Sequence, residues 1–208
     1  MKKRTVLLLF IGLLIVGIIA TIVLLYKNNI MKKNSKEENK PVEVEKIEDF
    51  AYVLEDRDKA IYKEKYNELK KVLSNADNID FEKYAGLLSE LYIIDLYTIE
   101  NKVTKYDVGG TEFVWPDKKE NFELKARDTI YKYVEDNSTK KRTQSLPVVT
   151  ATTVESTKEI EYKLGEEKMS GYEVKISWEY EKDLGYDKSA TIKLVKKDQL
   201  LYIVEQKK

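Results

Sequence analysis

The feature that most constrains this chain is an apolar run near its amino end. Residues 5–26 read TVLLLFIGLLIVGIIATIVLLY, and basic residues stand on both sides of the run. As a helix the run would be roughly 33 Å long, which is enough to cross a bilayer. Residues 5–26 are therefore predicted to be a transmembrane anchor, with the lipid bilayer as the first partner of the chain.

A cleaved secretory signal is the alternative to a permanent anchor. Signal peptides have apolar cores of about 7–15 residues and end at small residues. This run is longer, and it ends in Ile22–Tyr26 directly before Lys27. A lipoprotein cleavage site is excluded because the chain has no cysteine. An uncleaved anchor is therefore the favoured interpretation.

The orientation of the anchor is the less constrained part of this prediction. Basic residues on the two sides of the run nearly balance, so the positive-inside rule gives a weak preference. The short tail 1–4 is expected to stay in the cytoplasm, which places the rest of the chain outside the plasma membrane. Residues 27–45 are polar and charged, typical of a flexible stalk. Residues 46–206 are expected to form a single extracytoplasmic domain.

Composition excludes several classes of function. The chain has no cysteine and no histidine, so disulfides, thiolate nucleophiles, Cys/His metal sites and histidine acid–base catalysis are not available. The 37 basic and 37 acidic residues balance over the whole chain. Because the first 45 residues are rich in lysine, the remainder is mildly acidic and lacks the basic surface that nucleic-acid binding needs. The sequence therefore predicts a protein that is not an enzyme and uses no cofactor or metal.

Helical patterns occupy the first part of the domain, to about residue 136. Apolar residues at near-helical spacing over 44–73 predict one long helix or two shorter ones. Asp80 is expected to cap the next helix, which is apolar on most sides over Leu87–Ile99 and should be central and buried. An acidic start signal at Asp117 predicts a last helix, whose apolar stripe runs to Tyr133.

From Val148 onwards the apolar period changes to two. The alternation is clearest over 172–180, where apolar and polar residues exchange at every position. Turn sequences divide 148–206 into four closely spaced strands, which is typical of an antiparallel meander with one wet face. The predicted fold class is thus α+β, with two to three helices packed on one face of a four-stranded antiparallel sheet.

This order of elements resembles the nuclear-transport-factor-2-like (cystatin-like) α+β roll. A single anchor before such a domain is similar to the bitopic scaffold subunits of bacterial conjugation and type IV secretion machines. The stretches 107–113, DVGGTEF, and 183–187, DLGYD, look like signatures of membrane proteins from Gram-positive bacteria. The resemblance implies a domain that docks other envelope proteins or forms a homo-oligomer.

Asp95 is the ionisable residue that most invites a chemical role. It lies on the apolar face of the predicted central helix, four positions before Ile99. Roll-shaped enzymes of this superfamily use a carboxylate in their cone as a base, and burial would raise its pKa for that task. The alternative is a structural carboxylate bonded to a tyrosine, a lysine or the backbone near Gly109 and Gly110.

Aromatic residues accompany Asp95 as candidates for a pocket lining. The candidate pocket residues are Tyr92, Asp95, Trp115, Trp178 and Tyr180, although aromatics in a sheet also simply fill a core. Three functions are consistent with these observations. The first is a non-enzymatic interaction or scaffold domain of the cell envelope. The second is a small-molecule-binding or isomerase/lyase-like roll with a cone pocket around Asp95. The third is a membrane-bound chaperone with an accessible apolar face.

Overall fold

The computed structural model describes residues 21–26 and 41–208. Residues 21–26 are helical, while the rest of the predicted anchor, the tail 1–4 and the stalk as far as residue 40 lie outside the described residues. No helix within the described ranges has the length and apolar character that a membrane crossing requires. Pro41–Lys208 forms one compact unit, and the fold below is the fold of that unit.

The unit begins with a β-hairpin, and the helix predicted over the first part of 44–73 is wrong. Strands β1, Glu43–Ile47, and β2, Tyr52–Glu55, pair antiparallel. Ala51 has a φ of 59° in the turn between them. The physical reason is that burial alternates with a period of two residues over this short stretch, as in a strand. The buried alternate residues are Phe50, Tyr52 and Leu54. Since Glu43 already belongs to β1, the folded unit also starts before the boundary predicted at residue 46.

Two helices follow the hairpin, α1 over Ala60–Leu73 and α2 over Phe81–Tyr97. The predicted cap of α2 is confirmed, since Asp80 Oδ1 accepts a hydrogen bond of 3.0 Å from the Lys83 N–H. Every residue from Tyr84 to Ile94 is buried. The prediction of a central buried helix is therefore confirmed as well.

The third helix, α3, spans Lys119–Asp128 and is shorter than predicted. Asp117 does not cap it but lies in a 3₁₀ turn, Pro116–Lys118, that leads into the helix. At the other end Thr129 Oγ1 donates to the Lys125 carbonyl at 2.6 Å, a local bond that competes with helix continuation. Tyr133 therefore lies beyond the helix and is exposed.

The four-stranded antiparallel sheet is confirmed. Its strands are β3, Val149–Leu164; β4, Glu167–Tyr180; β5, Ser189–Lys197; and β6, Leu200–Lys207. They pair in the order β3-β4-β5-β6, so β3 and β6 are the two edges. Val114 forms a single parallel bridge with Ile203 of β6, which brings the start of α3 to that edge.

The core of this α+β unit lies between α2 and one face of the sheet. Alternate residues of β4 and β5 are almost fully buried there: Val174, Ile176, Trp178, Ile192 and Leu194. In the same strands Lys193 alternates with the buried residues, and it pairs with Glu205 at 3.0 Å. The alternation read from the sequence therefore corresponds to one buried face and one charged face.

Candidate functional site

A buried ionic cluster surrounds Asp95 at the end of α2. We call it the Asp95 cluster; its members are Arg57, Asp58, Tyr62, Asp95, Lys102, Asp107 and Glu112. Lys102 is almost fully buried and its ammonium pairs directly with Asp95 Oδ1. The Gly110 N–H donates to Asp95 Oδ2 at 2.5 Å. Both oxygens of this carboxylate are therefore held by groups within the fold.

The glycine pair of the 107–113 stretch lets a loop pack against the last turn of α2. A Cβ at Gly109 would lie 2.1 Å from the Asp95 carbonyl oxygen, so only glycine fits without a backbone shift. Gly110 has a φ of 75°, a conformation that glycine adopts readily. The buried Tyr131 hydroxyl accepts from the Gly109 N–H at 3.1 Å. The stretch 107–113 thus has a packing role that could not be predicted from its sequence.

Arg57 links the hairpin side of the unit to the same loop. Its Nη1 and Nη2 donate to the two carboxylate oxygens of Asp107 at 2.5 and 3.1 Å, which is a bidentate pair. Its Nε donates to Glu55 at 2.7 Å. Asp107 also accepts from the Val103 N–H at 2.8 Å. These bonds connect two segments that are distant in the sequence, 55–57 and 103–107.

The electrostatics of Asp95 favour a structural role. Burial alone would raise the pKa of Asp95, but the charge and hydrogen bond of Lys102 and the Gly110 N–H together lower it. A general base working from a raised pKa is the opposite situation. The contacts match the structural alternative, a carboxylate bonded to a lysine and to the backbone near Gly109 and Gly110.

The pKa values of two neighbouring carboxyls are shifted in the other direction. Burial, assisted by the charge of Asp95, raises the pKa of Glu112 to about 8, although its bond from Tyr62 opposes the shift. The Tyr62 hydroxyl donates to Glu112 Oε1 at 3.0 Å. Burial likewise raises the pKa of Asp58 to about 6. Sequence reasoning did not single out Glu112 or Asp58, because neither lies in an apolar pattern that would signal burial.

Glu112 should make the stability of the protein depend on pH. A carboxyl with a raised pKa binds more protons in the folded state, so stability falls as pH rises from about 4.3, the unfolded value, through about 8. Glu112→Gln is expected to flatten this fall and to stabilise the protein by on the order of 2 kcal/mol near pH 8. Urea unfolding between about pH 5 and about pH 8 measures this effect.

The exposed Glu64 on α1 provides the control for this measurement. Glu64→Gln should leave the pH dependence of the unfolding free energy as it is in the wild type, because the Glu64 side chain is exposed in the folded protein. Asp58 acts in the same direction as Glu112 but over a lower range, up to about 6. Parallel stability curves for the wild type and Glu112→Gln would contradict the assignment.

The cavity inside the Asp95 cluster is small. It has a volume of about 150 Å³ and is lined by residues of β2, the start of α1 and the loop 107–113, which we call the glycine loop. Ligand pockets of proteins usually measure about 300–1,000 Å³. This geometry therefore does not favour a cone pocket around Asp95 that accepts an organic substrate.

A larger opening lies between α2, α3 and β6, and we call it the α3 cleft. Its volume is about 630 Å³, and Tyr92 is the one predicted pocket residue that lines it. The Tyr92 hydroxyl donates to Gln206 Oε1 at 2.7 Å, and Gln206 Nε2 donates to the Tyr97 hydroxyl at 3.1 Å. Facing residues of α2 and β6 are thus joined at the wall of this cleft.

The remaining predicted aromatics lie elsewhere. Trp178 is buried against Tyr97, with ring centroids 5.0 Å apart, and its Nε1 donates to the Tyr180 hydroxyl at 2.7 Å. Trp115 contacts the Tyr202 ring edge-on at 5.4 Å. The five predicted residues therefore do not share one pocket. Trp178 fills the core, which was the alternative interpretation for aromatics in the sheet.

Neither metal chemistry nor a known relative defines the site further. Within 21–26 and 41–208, no grouping of acidic side chains is arranged to hold a metal ion. Comparison of the chain with protein-family models, with curated proteins and with solved structures finds no match in any of the three.

Proposed function

We propose that this chain is a single-pass membrane protein whose extracytoplasmic α+β domain binds other proteins of the cell envelope without catalysing a reaction. The apolar run 5–26 supports the location, and the order of elements supports a roll of the nuclear-transport-factor-2-like type. The observation that carries the binding role is the open edge of β3.

Strand β3 is long and has a neighbour on one side. It has 16 residues and pairs with β4, and within 41–208 no strand lies along its other edge. An extended segment of a partner can add to such an edge through main-chain hydrogen bonds. Register shifts at Val149/Ala151 and Val154/Ser156 interrupt the ladder, and such bulges limit indiscriminate pairing. The edge is therefore suited to a selected partner.

An acidic groove beside this edge indicates the charge of the partner segment. The groove measures about 410 Å³ and is bounded by Val154 and Thr157 of β3 and by α1 and α2. Its charged lining residues are Glu68, Asp80, Glu82, Lys83 and Glu90. Lys65 of α1 pairs with Glu68 at 3.8 Å and with Glu90 at 3.2 Å. Because the four carboxylates still outnumber Lys65 and Lys83, an extended segment that carries lysine or arginine is the complementary occupant.

The two other functions have less support. A base at Asp95 would need a free carboxylate, whereas Lys102 and Gly110 hold both of its oxygens. A chaperone would need a continuous apolar surface. The large apolar residues exposed in 41–208 come from separate segments of the chain: Val42, Val44, Tyr106, Leu124, Tyr133 and Leu184. Of these, Tyr133 and Leu184 line one cleft.

Cross-linking from β3 tests the proposal. The chain has no cysteine, so the single substitution Thr153→Cys places one reactive thiol at the exposed edge strand. With a short photo-reactive maleimide on this thiol, illumination of membranes is expected to give one discrete adduct. An adduct of twice the 24.3 kDa chain mass would identify a second copy, and another mass would identify a different envelope protein.

Lys175 of the central strand β4 provides the matched control. Lys175 is exposed, but its strand is paired on both sides, with Ser156 of β3 and Thr191 of β5. Lys175→Cys should give little of the adduct, because no edge is open there. Equal cross-linking from both positions, or no adduct from Thr153→Cys, would contradict binding at the β3 edge.

A further inference from the structure

The α3 cleft has the apolar lining of a ligand site. Its apolar lining residues come from α2, from α3 and the turn after it, and from β6, and they include Leu96, Tyr97, Phe122, Ala126, Ile130 and Ile203. Its volume of about 630 Å³ lies within the usual range of about 300–1,000 Å³ for ligand pockets. The cleft adjoins β6, while the proposed protein-binding edge is β3, at the other end of the strand order. The two features are therefore separate.

A second cleft adjoins the α3 cleft. It measures about 420 Å³ and reaches Tyr133, Leu184 and Tyr186. Both clefts share Ile130 and the Asp187–Lys208 ion pair as lining. An apolar group that reaches from one cleft into the other must be extended, as an acyl chain is.

Charge along the cleft is uneven. The two acidic lining residues are neutralised, since Asp187 pairs with Lys208 at 3.0 Å and Glu205 pairs with Lys193 at 3.0 Å. Lys118 Nζ donates to the Val204 carbonyl at 3.0 Å, a neutral partner that leaves its charge uncompensated. Lys125 is exposed and has no ion-pair partner within 41–208.

These two lysines lie on one side of the α3 segment, Lys118 in the turn directly before the helix and Lys125 within it. Lys118 precedes Asn121 and Phe122 by three and four residues, and Lys125 follows them by four and three. All four line the cleft, as residues on one helix face do. The α3 wall of the cleft thus presents two ammonium groups and an amide beside an aromatic ring. This combination matches a negatively charged group attached to an apolar chain.

We infer that the α3 cleft binds an acyl chain that ends in an anionic head group. The chain lies along the apolar floor formed with α2 and β6, and Lys118 and Lys125 hold the head group. The carboxylate of a free fatty acid and the phosphate of a membrane lipid share this chemistry. The protein then has a lipid-like ligand in addition to its proposed protein partner.

Photolabelling of the full chain in phosphatidylcholine nanodiscs tests this inference. The probes are a diazirine-bearing fatty acid, a lysophosphatidic acid with the same diazirine chain, and the uncharged methyl ester of the fatty acid. At least one anionic probe is expected to label peptides from α3 and β6 roughly fivefold or more above the ester, as one or two charge contacts would give. The better of the two anionic probes identifies the source of the head group.

Substitution of the lysines gives the second arm of the experiment. Lys118→Gln/Lys125→Gln is expected to reduce labelling by the anionic probes to the level of the ester. The exposed substitution Lys125→Gln alone should give part of this loss, which keeps the test valid if the double variant is poorly folded. Lys132→Gln, an exposed lysine outside the cleft, should label as the wild type does.

Three results would overturn the inference. They are equal labelling by the ester and by both anionic probes, labelling spread over peptides outside α3 and β6, and unchanged labelling of both lysine variants. Each of them leaves the proposed partner at β3 untouched, because that proposal is tested by cross-linking from Thr153 on the opposite edge strand.

Discussion

Replacing Asp95 by asparagine is expected to destabilise the protein by about 3–5 kcal/mol, the usual cost of removing one partner of a buried ion pair. Lys102 is almost fully buried, and in Asp95→Asn its ammonium would remain in the interior without the carboxylate with which it pairs directly. Urea or thermal unfolding of the variant measures the loss. The same substitution in a catalytic carboxylate would leave stability nearly unchanged and remove activity.

A double-mutant cycle makes this prediction specific to the pair. Lys102→Met combined with Asp95→Asn should cost clearly less than the sum of the two single changes, because neither partner then remains unpaired. Asp183→Asn, which removes an exposed partner of Lys188, is the control and should have little effect. Additive losses within the Asp95 and Lys102 cycle would show that the two groups do not interact as described.

Replacing Gly109 by alanine is expected to destabilise the protein by about 3 kcal/mol or more, because the added methyl group overpacks a closed site. Its Cβ would lie 2.1 Å from the carbonyl oxygen and 2.6 Å from the carbonyl carbon of Asp95. These are backbone atoms in the last turn of α2, so a flexible side chain cannot simply move away. The loop that carries Asp107 and Glu112 would have to shift instead.

Gly86 is the matched control for this substitution. A Cβ there would meet Val154 at 3.6 Å, an ordinary contact, and Gly86 lies inside α2. Gly86→Ala is therefore expected to be neutral or to stabilise by up to about 1 kcal/mol, the difference in helix propensity. Chemical denaturation of both variants compares them directly. Equal stability of Gly109→Ala and the wild type would refute the close packing of the glycine loop.

The sheet and the central helix were predictable because each rests on a local pattern. The alternation over 172–180 and the apolar sides of 87–99 both report burial that repeats along one element. The hairpin over β1 and β2 was missed because its strands are short. Over so few residues the spacing of Ile47, Phe50 and Leu54 also fits a helix. The pairing of β1 with β2 makes the segment a hairpin instead.

The Asp95 cluster could be predicted in part. Asp95 itself was identified from its place in an apolar run, and a tyrosine, a lysine or the backbone near Gly109 and Gly110 was foreseen as its partner. Which lysine pairs with it was not foreseeable, since Lys102 lies in a polar stretch without periodicity. Arg57 and Glu112 come from distant segments, and only the folded chain brings them together. The α3 cleft was missed for the same reason, because β6 and α3 meet through tertiary contacts.

The location of the domain outside the plasma membrane can be measured in one labelling experiment. The chain lacks cysteine, so Asn67→Cys on the exposed side of α1 and Lys3→Cys in the amino-terminal tail each carry a single thiol. With a membrane-impermeant maleimide, Asn67→Cys is expected to react fully in intact cells, whereas Lys3→Cys is expected to react only after permeabilisation. Protection of Asn67→Cys in intact cells, followed by labelling after permeabilisation, would contradict an extracytoplasmic domain.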